Sequence, residues 1–255
     1  MKGLRFAFLG SGSKGNALLL EAAGQRLLID CGFSTREIAR RMAALDRSPE
    51  ALDGILVTHE HSDHASGVAR LARRFGLPVY ATHGTRAAIN DDNGLDWRLI
   101  SAHEGFAIGD LAITPVAVPH DAREPVQFIV EDGLRRFGLL TDLGHVTPHV
   151  IRKYSACHAL VLEANHDLGM LATGPYPPSL KQRVGGDFGH LNNRQSAEFL
   201  ERADTGTLER LIAAHISEKN NDATLARDTL ADGIGWTASR VEVAVQDSAS
   251  DWYEV

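Results

Sequence analysis

The sequence is poor in cysteine, in long apolar runs and in positive charge, and each shortage excludes a class of protein. Its 255 residues include only two cysteines, Cys31 and Cys157. These are too few for a disulfide framework, so we expect a reducing, cytoplasmic location. The chain has no run of about 18 apolar residues, so we expect neither a secretory leader nor a membrane span. The formal net charge of −7 argues against bulk binding to nucleic acid, although a local basic patch would still allow a nucleic-acid substrate.

The composition that remains is that of an ordinary globular α/β protein. Hydrophobic residues make up 44% of the chain, and 24 residues are glycine. A chain of this length can bury a core without disulfides or metals to stabilise it. We expect a single domain spanning residues 1–255, although two small domains would also fit the length.

Hydrophobic periodicity predicts strands that come in meanders and in alternation with helices. This order favours two mixed β-sheets with helices on their outer faces. We predict helices at Thr35–Leu45, Ala65–Phe75, Gly84–Ile89, Thr147–Tyr154, Asn193–Ala203 and Asn221–Gly233. We predict strands at Leu4–Leu9, Ala17–Glu21, Gln25–Ile29, Ile55–Val57, Pro78–Ala81, Leu111–Val118, Val126–Glu131, Phe137–Thr141, Ala159–Glu163, Leu211–His215 and Val241–Val245.

Three further local features carry expectations. The glycine-rich linker 10–16 leads into a strand and lacks the Gly-Lys-Ser/Thr ending of a phosphate loop, so we interpret it as a tight turn near the site. In the first predicted helix, Arg36, Arg40 and Arg41 should occupy the polar side. The segment Asp167–Gly189 is rich in proline and glycine, and we expect a long irregular loop of functional importance.

One heptapeptide, Thr-His-Glu-His-Ser-Asp-His at positions 58–64, outweighs the rest of the chain. Imidazole and carboxylate are ligands for zinc, manganese or iron. The heptapeptide follows a short strand pattern and precedes a helical one, so it should lie on a strand-to-helix loop. His59 and His61 are two apart in an extended segment and should point the same way. Asp63 and His64 follow the turn and could face a second ion.

Three more candidate ligands come at the ends of later predicted strands. His120 follows one strand, Asp142 ends another, and His215 ends a third. A lone histidine after a strand is more often a surface or capping residue than a ligand. In series after the heptapeptide, these residues favour a metal site.

This series resembles the signature of the metallo-β-lactamase-fold hydrolases, and the resemblance spans nearly the whole chain. It implies an αββα sandwich with two divalent metal ions, Zn²⁺ or Mn²⁺, and a metal-bridging water or hydroxide as nucleophile. By this resemblance, the first metal is held by His59, His61 and His120, the second by Asp63, His64 and His215, and Asp142 bridges them.

Further motifs resemble the nuclease branch of this family, and more closely its YycJ/WalJ-like group of bacterial exonucleases. They are the turn at 10–16 and the segments 162–167, 189–193 and 214–221. The resemblance implies a nuclease that degrades DNA in preference to RNA, in the 5′ to 3′ direction. The chain has no room for the large inserted domain of the RNA-cleaving members, and the oligomeric state stays open.

The same resemblance and local chemistry assign roles to residues beyond the ligands. His190 is the expected proton donor to the leaving group and, with Asp63, the expected catalytic residue, although His190 could also be a helix-capping loop histidine. Glu163, which ends a buried strand, should hydrogen-bond a ligand histidine. Asp30, at the end of the third strand, could do the same or could be a turn former. His166 is either near the metals or an ordinary loop histidine. Asn192 is a candidate for a similar supporting role, and Lys14, Lys181, Arg183 and Lys219 are candidate phosphate contacts or plain surface charges.

Other functions compete with the nuclease. The acidic net charge favours a small-molecule hydrolase of the same fold, such as a cyclic phosphodiesterase or a thioester or lactone hydrolase. A di-iron oxygen- or nitric-oxide-reducing protein would usually place Glu where His61 stands and would carry a flavodoxin domain. A metal-free binding module is the weakest reading, since every expected ligand is present.

Overall fold

The computed structural model describes residues 3–91 and 94–255. They divide into two compact units. The first unit comprises residues up to Ala117 together with Ala122–Arg135 and Val245–Val255, and the second comprises Val118–Asp121 and Arg136–Ala244. The expectation of one domain across the chain stays a prediction, because compactness alone does not define a domain boundary.

The strands belong to two mixed β-sheets, as the pattern of the sequence predicted. In chain order they are β1 (Arg5–Gly10), β2 (Ala17–Ala22), β3 (Gln25–Ile29), β4 (Gly54–Leu56), β5 (Val79–Thr82), β6 (Trp97–Ile100), β7 (Phe106–Ile108), β8 (Leu111–Ala117), β9 (Val126–Glu131), β10 (Arg136–Leu140), β11 (Ala159–Glu163), β12 (Arg210–Ala214), β13 (Val241–Val243) and β14 (Tyr253–Glu254). The short strands β6, β7 and β14 were not predicted.

The α-helices lie between these strands. They are α1 (Thr35–Ala43), α2 (Ser62–Ala65), α3 (Val68–Phe75), α4 (His83–Ile89), α5 (Pro148–Tyr154), α6 (Leu168–Thr173), α7 (Pro178–Val184), α8 (Asn193–Arg202) and α9 (Ala223–Ile234). Among the residues that the structure describes, no helix is long and apolar enough to cross a membrane.

The first unit contains one complete sheet, in the order β14-β1-β2-β3-β4-β5-β6, and the antiparallel meander β7-β8-β9. Its core packs alternate residues of the sheet, such as Leu9, Leu28 and Ile55, against Ile38 and Met42 of α1. Burial of this apolar surface stabilises the sheet from which the heptapeptide loop emerges.

The second unit is built on four parallel strands in the order β13-β12-β11-β10. Helices α5, α8 and α9 connect them in alternation. The carboxyl ends of parallel strands meet at one edge of a sheet. Asp142 follows β10, Glu163 ends β11, and His215 follows β12, so this register places all three at the same edge.

Two predictions of secondary structure were wrong. The segment 167–189 is not irregular: it holds α6, which begins where the Asp167 side chain accepts from Met170 N, and α7, which has proline at its first position. The predicted helix Ala65–Phe75 is divided between α2 and α3 at Gly67. A Cβ at Gly67 would lie 2.0 Å from the carbonyl oxygen of Phe33, so only glycine fits this close approach.

Arg41 lies inside the first unit rather than on the polar side of α1, whereas Arg36 and Arg40 are exposed as predicted. The Arg41 guanidinium donates to the carbonyl of Gln246 over 2.8 Å and pairs with Glu37 at 2.6 Å. These contacts compensate the burial of its charge.

Both cysteines are buried free thiols. Burial raises the pKa of Cys31 to about 12. A thiol that stays protonated at neutral pH is a poor nucleophile and a poor metal ligand.

Candidate metal centre

The imidazoles of the heptapeptide 58–64 lie close together in the first unit. Contrary to the prediction, the segment is not a loop throughout, because its last three residues begin α2. The ring centroids of His59 and His61 are 4.6 Å apart, and those of His59 and His64 are 4.3 Å apart. His59 and His64 are buried, whereas His61 and Asp63 are partly exposed. The heptapeptide therefore presents several nitrogen donors and the carboxylate of Asp63 within a small volume.

Asp30, which directly follows β3, forms hydrogen bonds with the heptapeptide. Its carboxylate is 3% exposed, accepts from the backbone N and the hydroxyl of Thr58 at 2.8 Å each, and lies 2.8 Å from Nδ1 of His64. Because an ionised carboxylate only accepts, His64 donates from Nδ1 and keeps its lone pair on Nε2. The Thr58 hydroxyl also lies 2.9 Å from Nδ1 of His59.

Asn16 is a contributor that the sequence reasoning missed. Its amide nitrogen lies 3.0 Å from Nε2 of His64 and 3.3 Å from Oδ2 of Asp63. Its backbone N also donates to the carbonyl of Asp63 over 2.7 Å. The turn at 10–16 thus packs directly on the candidate ligands, and the asparagine that ends the glycine-rich motif was the available clue.

Backbone strain accompanies the candidate site in both units. Asp30, Asp142 and His215 have φ values of 61°, 54° and 56°. Asp30 and His215 directly follow β3 and β12, and Asp142 lies two residues after the end of β10. Residues other than glycine rarely adopt this left-handed region, which costs free energy of order 1–3 kcal/mol each. Hydrogen bonds such as those of Asp30 with Thr58 and of His215 with Glu163 stabilise these conformations.

The carboxylate of Glu163 forms hydrogen bonds with two histidines of the second unit. It is fully buried; its Oε1 lies 2.9 Å from Nδ1 of His190 and 3.0 Å from Nδ1 of His215. Its Oε2 accepts from the backbone N of Leu191 at 2.9 Å and of Leu143 at 3.3 Å. Burial raises the pKa of this carboxyl, but the charge of His190 and the hydrogen bonds from both histidines outweigh burial and hold the pKa at about 2.

Asp142 and the two histidines complete this cluster. Asp142 Oδ1 lies 3.3 Å from Nδ1 of His215 and 3.7 Å from Nδ1 of His190. Ligand atoms of Asp142, Glu163, His190 and His215 all lie within 4.8 Å of one another. Imidazole nitrogens and carboxylate oxygens are ligands for divalent ions of the zinc or manganese type. Because both oxygens of Glu163 already accept hydrogen bonds, Asp142 and His215 are the members of this cluster best suited to bind such an ion. Since Glu163 accepts from Nδ1 of each histidine, Nε2 is the nitrogen that each ring presents to another partner.

His120 is held by the same segment that carries His190. Its Nδ1 lies 3.0 Å from the carbonyl oxygen of Gly189, and its ring centroid is 5.2 Å from that of His190. His120 is 4% exposed. A backbone carbonyl that accepts from Nδ1 fixes the tautomer in which Nε2 can bind a metal.

His166 and Asn192 lie close to this cluster without joining it. His166 is fully buried, and among residues 3–91 and 94–255 neither of its ring nitrogens has a hydrogen-bond partner. Burial lowers the pKa of His166 to about 4. Asn192 is the N-cap of α8 and forms a reciprocal capping box with Gln195. The side chain of Asn192 therefore stabilises the beginning of α8.

The candidate phosphate contacts have protein partners or are exposed. Lys181 Nζ donates to the carbonyl of Ala172 over 2.7 Å, and Arg183 pairs with Asp121 at 2.5 Å. Lys14 and Lys219 are exposed. Phosphate binding by these side chains stays a prediction.

Comparison with known proteins assigns the chain to a family. A model of the beta-lactamase superfamily domain matches residues 25–216. The chain belongs to this superfamily. Within it, the exodeoxyribonuclease WalJ of Streptococcus pneumoniae strain D39 is 34% identical over 264 residues, covering 98% of this chain and 96% of WalJ. The exodeoxyribonuclease YycJ of Bacillus anthracis is 36% identical over 229 residues, covering 88% and 87% of the two chains. This superfamily member is therefore WalJ/YycJ-like.

Solved structures confirm the fold of this superfamily member. The metallo-β-lactamase fold protein YhfI of Bacillus subtilis superposes with a TM-score of 0.76 at 15% identity, covering 98% of this chain and 99% of YhfI. The short form of human tRNase Z gives 0.66 at 16% identity, covering 97% and 98%. The predicted fold class, an αββα sandwich of two mixed sheets flanked by helices, is thereby confirmed.

Proposed function

We propose that this protein is a metal-dependent exodeoxyribonuclease. The observation that carries the proposal is its similarity, over almost the full length of both chains, to relatives named exodeoxyribonuclease. The imidazole and carboxylate clusters of the two units supply the donors that a metal-dependent phosphodiester hydrolase requires. DNA, rather than RNA, is the proposed substrate, and 5′ to 3′ the proposed direction.

Two divalent ions, Zn²⁺ or Mn²⁺, are the proposed cofactors. Following the family signature, we assign His59, His61 and His120 to one ion, Asp63, His64 and His215 to the other, and Asp142 to both. Such a pair of ions, when bound, lowers the pKa of a shared water and neutralises charge on the phosphoryl oxygens. Asp30 and Glu163 support the assignment, because each accepts from the Nδ1 of an assigned histidine.

His190 is the proposed general acid. The alkoxide that leaves a phosphodiester is a poor leaving group and needs a proton as it departs. Glu163 takes the hydrogen bond of His190 Nδ1, so Nε2 is the nitrogen that would deliver that proton. The side chain of His190 is 18% exposed, which leaves it accessible to a substrate. This exposure and the buried, ionised carboxylate behind it support a role in proton transfer.

The function is tested by incubating metal-loaded protein with end-labelled single- and double-stranded DNA, with RNA of the same sequence, and with bis-p-nitrophenyl phosphate. We expect stepwise shortening of DNA from its 5′ end, slower loss of RNA, and no activity after chelation. A protein that degrades RNA faster than DNA, or that cuts internally, would contradict the proposal.

The proposed ligands of the second metal ion are tested by substitution. We expect Asp63→Ala and His64→Ala to abolish phosphodiesterase activity and to lower the bound metal from two equivalents towards one, with the fold intact because neither residue belongs to the apolar core of the first unit. Metal analysis and circular dichroism measure these outcomes. Wild-type turnover in either variant would show that the second ion is not catalytic.

A small-molecule phosphodiester is the second candidate substrate, favoured by the net charge of −7, which repels a polyanion. A protein that hydrolyses bis-p-nitrophenyl phosphate or a cyclic nucleotide but leaves every DNA and RNA strand intact would support this alternative.

A further inference from the structure

One aromatic ring lies in solvent within the segment that carries His190. The side chain of Phe188 is 59% exposed, whereas Phe128, Phe137 and Phe199 are almost completely buried. Among the described residues 3–91 and 94–255, it is the one aromatic residue that is exposed. Aromatic rings contribute most to stability when they are buried, so folding alone does not account for this position.

The backbone around Phe188 is firmly held, so the exposure does not come from a loose loop. The carbonyl of Asp187 lies 2.8 Å from Nδ1 of His145, and the carbonyl of Phe188 accepts from the backbone N of Asp121 over 3.0 Å. A Cβ on Gly144 would lie 2.2 Å from the carbonyl carbon of Asp187. The segment thus packs against Gly144, a position that only glycine can occupy, and the backbone that carries the ring is held in place.

The same segment continues directly to the proposed general acid, His190. The next carbonyl, that of Gly189, lies 3.0 Å from Nδ1 of His120, a proposed ligand. The residue after it, His190, has its Nδ1 2.9 Å from Glu163. Four consecutive residues are therefore anchored in the second unit, and the one that offers an exposed apolar surface stands two positions before the proposed general acid.

A flat apolar ring at this position suits a nucleobase. Bases stack on aromatic side chains whatever their sequence, as an exonuclease requires. Charge offers little alternative here, because Arg183 pairs with Asp121 and Lys181 donates to a carbonyl. The chain as a whole is acidic.

From these observations we propose that Phe188 is a substrate-binding residue on which a nucleobase next to the scissile phosphate stacks. This inference rests on the proposed function and adds to it a way of holding a single-stranded end. Stacking holds the substrate without taking part in bond cleavage, so its loss should appear in KM rather than in kcat.

The test compares Phe188→Ala and Phe188→Trp with wild type on a single-stranded oligonucleotide and on the same strand with abasic terminal nucleotides. We expect Phe188→Ala to raise KM on the normal strand by about 10- to 100-fold with kcat little changed, and Phe188→Trp to restore it. Wild type should lose affinity for the abasic strand, whereas Phe188→Ala should bind both strands equally. Leu168→Ala, which removes another exposed apolar side chain of the second unit, 58% exposed, should behave as wild type.

The kcat on the abasic strand, which offers no base to stack, separates stacking from damage to the site. Phe188→Ala and Phe188→Trp should keep the kcat of wild type on that strand. An unchanged KM in Phe188→Ala on the normal strand, continued discrimination against the abasic strand, a loss of kcat on the abasic strand, or a changed oligomeric state would each overturn the inference. If wild type hydrolyses bis-p-nitrophenyl phosphate but no strand, the proposed function fails and this inference fails with it. If wild type degrades DNA and only the Phe188 effects are absent, the stacking role alone is overturned.

Discussion

A single carboxylate, that of Glu163, determines the orientation of two imidazoles. One of its oxygens contacts Nδ1 of His190 and Nδ1 of His215, and the other accepts from two backbone N–H groups. All four partners are donors, so the geometry requires an oxygen at both positions and a full negative charge. The pKa of about 2 provides that charge throughout the physiological range.

We therefore expect Glu163→Gln to weaken metal binding by about 10- to 100-fold, the usual cost of losing a carboxylate behind a ligand histidine. The new amide would place an N–H group against existing donors and disturb His190 and His215 together. Metal titration and turnover at saturating metal measure the two effects. Glu198→Gln, in an exposed pair with Arg194, is the matched control, and equal affinities in both variants would refute a role for Glu163.

The proposed role of His190 is tested by comparing turnover of substrates with different leaving groups. We expect His190→Ala to reduce turnover of a natural strand by about 10²–10⁴-fold but to affect an activated nitrophenyl ester far less, because nitrophenolate leaves without a proton. Rates on the two substrates, measured side by side, decide the matter. Equal losses would mean that His190 holds the phosphate or a metal, and no loss would return it to an ordinary loop histidine.

At the scale of the elements, the beginning of α8 lies next to the site. Asn192 caps this helix through a reciprocal capping box with Gln195 and forms an isolated β-bridge with His166. The N-cap therefore lies two residues after His190, and the helix anchors the segment that carries His190.

We expect Asn192→Ala to lower the free energy of unfolding by about 1 kcal/mol, the usual cost of losing an N-cap, while Asn192→Asp retains most of it. Urea unfolding of both variants provides the measurement. Wild-type stability in Asn192→Ala would show that neighbouring contacts, rather than the cap, determine where α8 begins.

The elements also show where sequence reasoning succeeds and fails. The helix α8 was predicted because its buried residues recur at helical spacing, and the strand β11 was predicted because it is a short, mostly apolar run. The helices α6 and α7 were missed because each is short and surrounded by glycine and proline, although Asp167 and Pro178 were recognisable helix starts. Arg41 was misplaced because its partners lie on β1 and near the end of the chain, which no local pattern reveals.

At the scale of the whole molecule, stability should depend on pH through His166. Burial lowers its pKa from 6.5 to about 4, so the unfolded chain binds a proton at a pH where the folded one does not. The corresponding stability is fully present above pH 6.5 and is lost as the pH falls through 4.

The unfolding free energy of wild type should therefore fall by about 2 kcal/mol more between pH 7 and pH 5 than that of His166→Leu. Both proteins share every other titrating group, so the difference between the two curves isolates this residue. Denaturant titrations of metal-free protein at the two pH values provide the curves. Parallel curves would show that His166 titrates normally.

The sequence by itself determined the identity of the candidate ligands and the fold class. The heptapeptide 58–64 carries its donors within seven consecutive residues, and the strand-end positions of His120, Asp142 and His215 follow from short apolar runs. Only the tertiary structure decided which histidine each supporting group contacts. Asn16 reaches His64 from a turn 48 residues earlier in the chain, and strand register brings Glu163 to His215. The same is true of Phe188, whose exposure depends on contacts of its backbone with residues more than forty positions away.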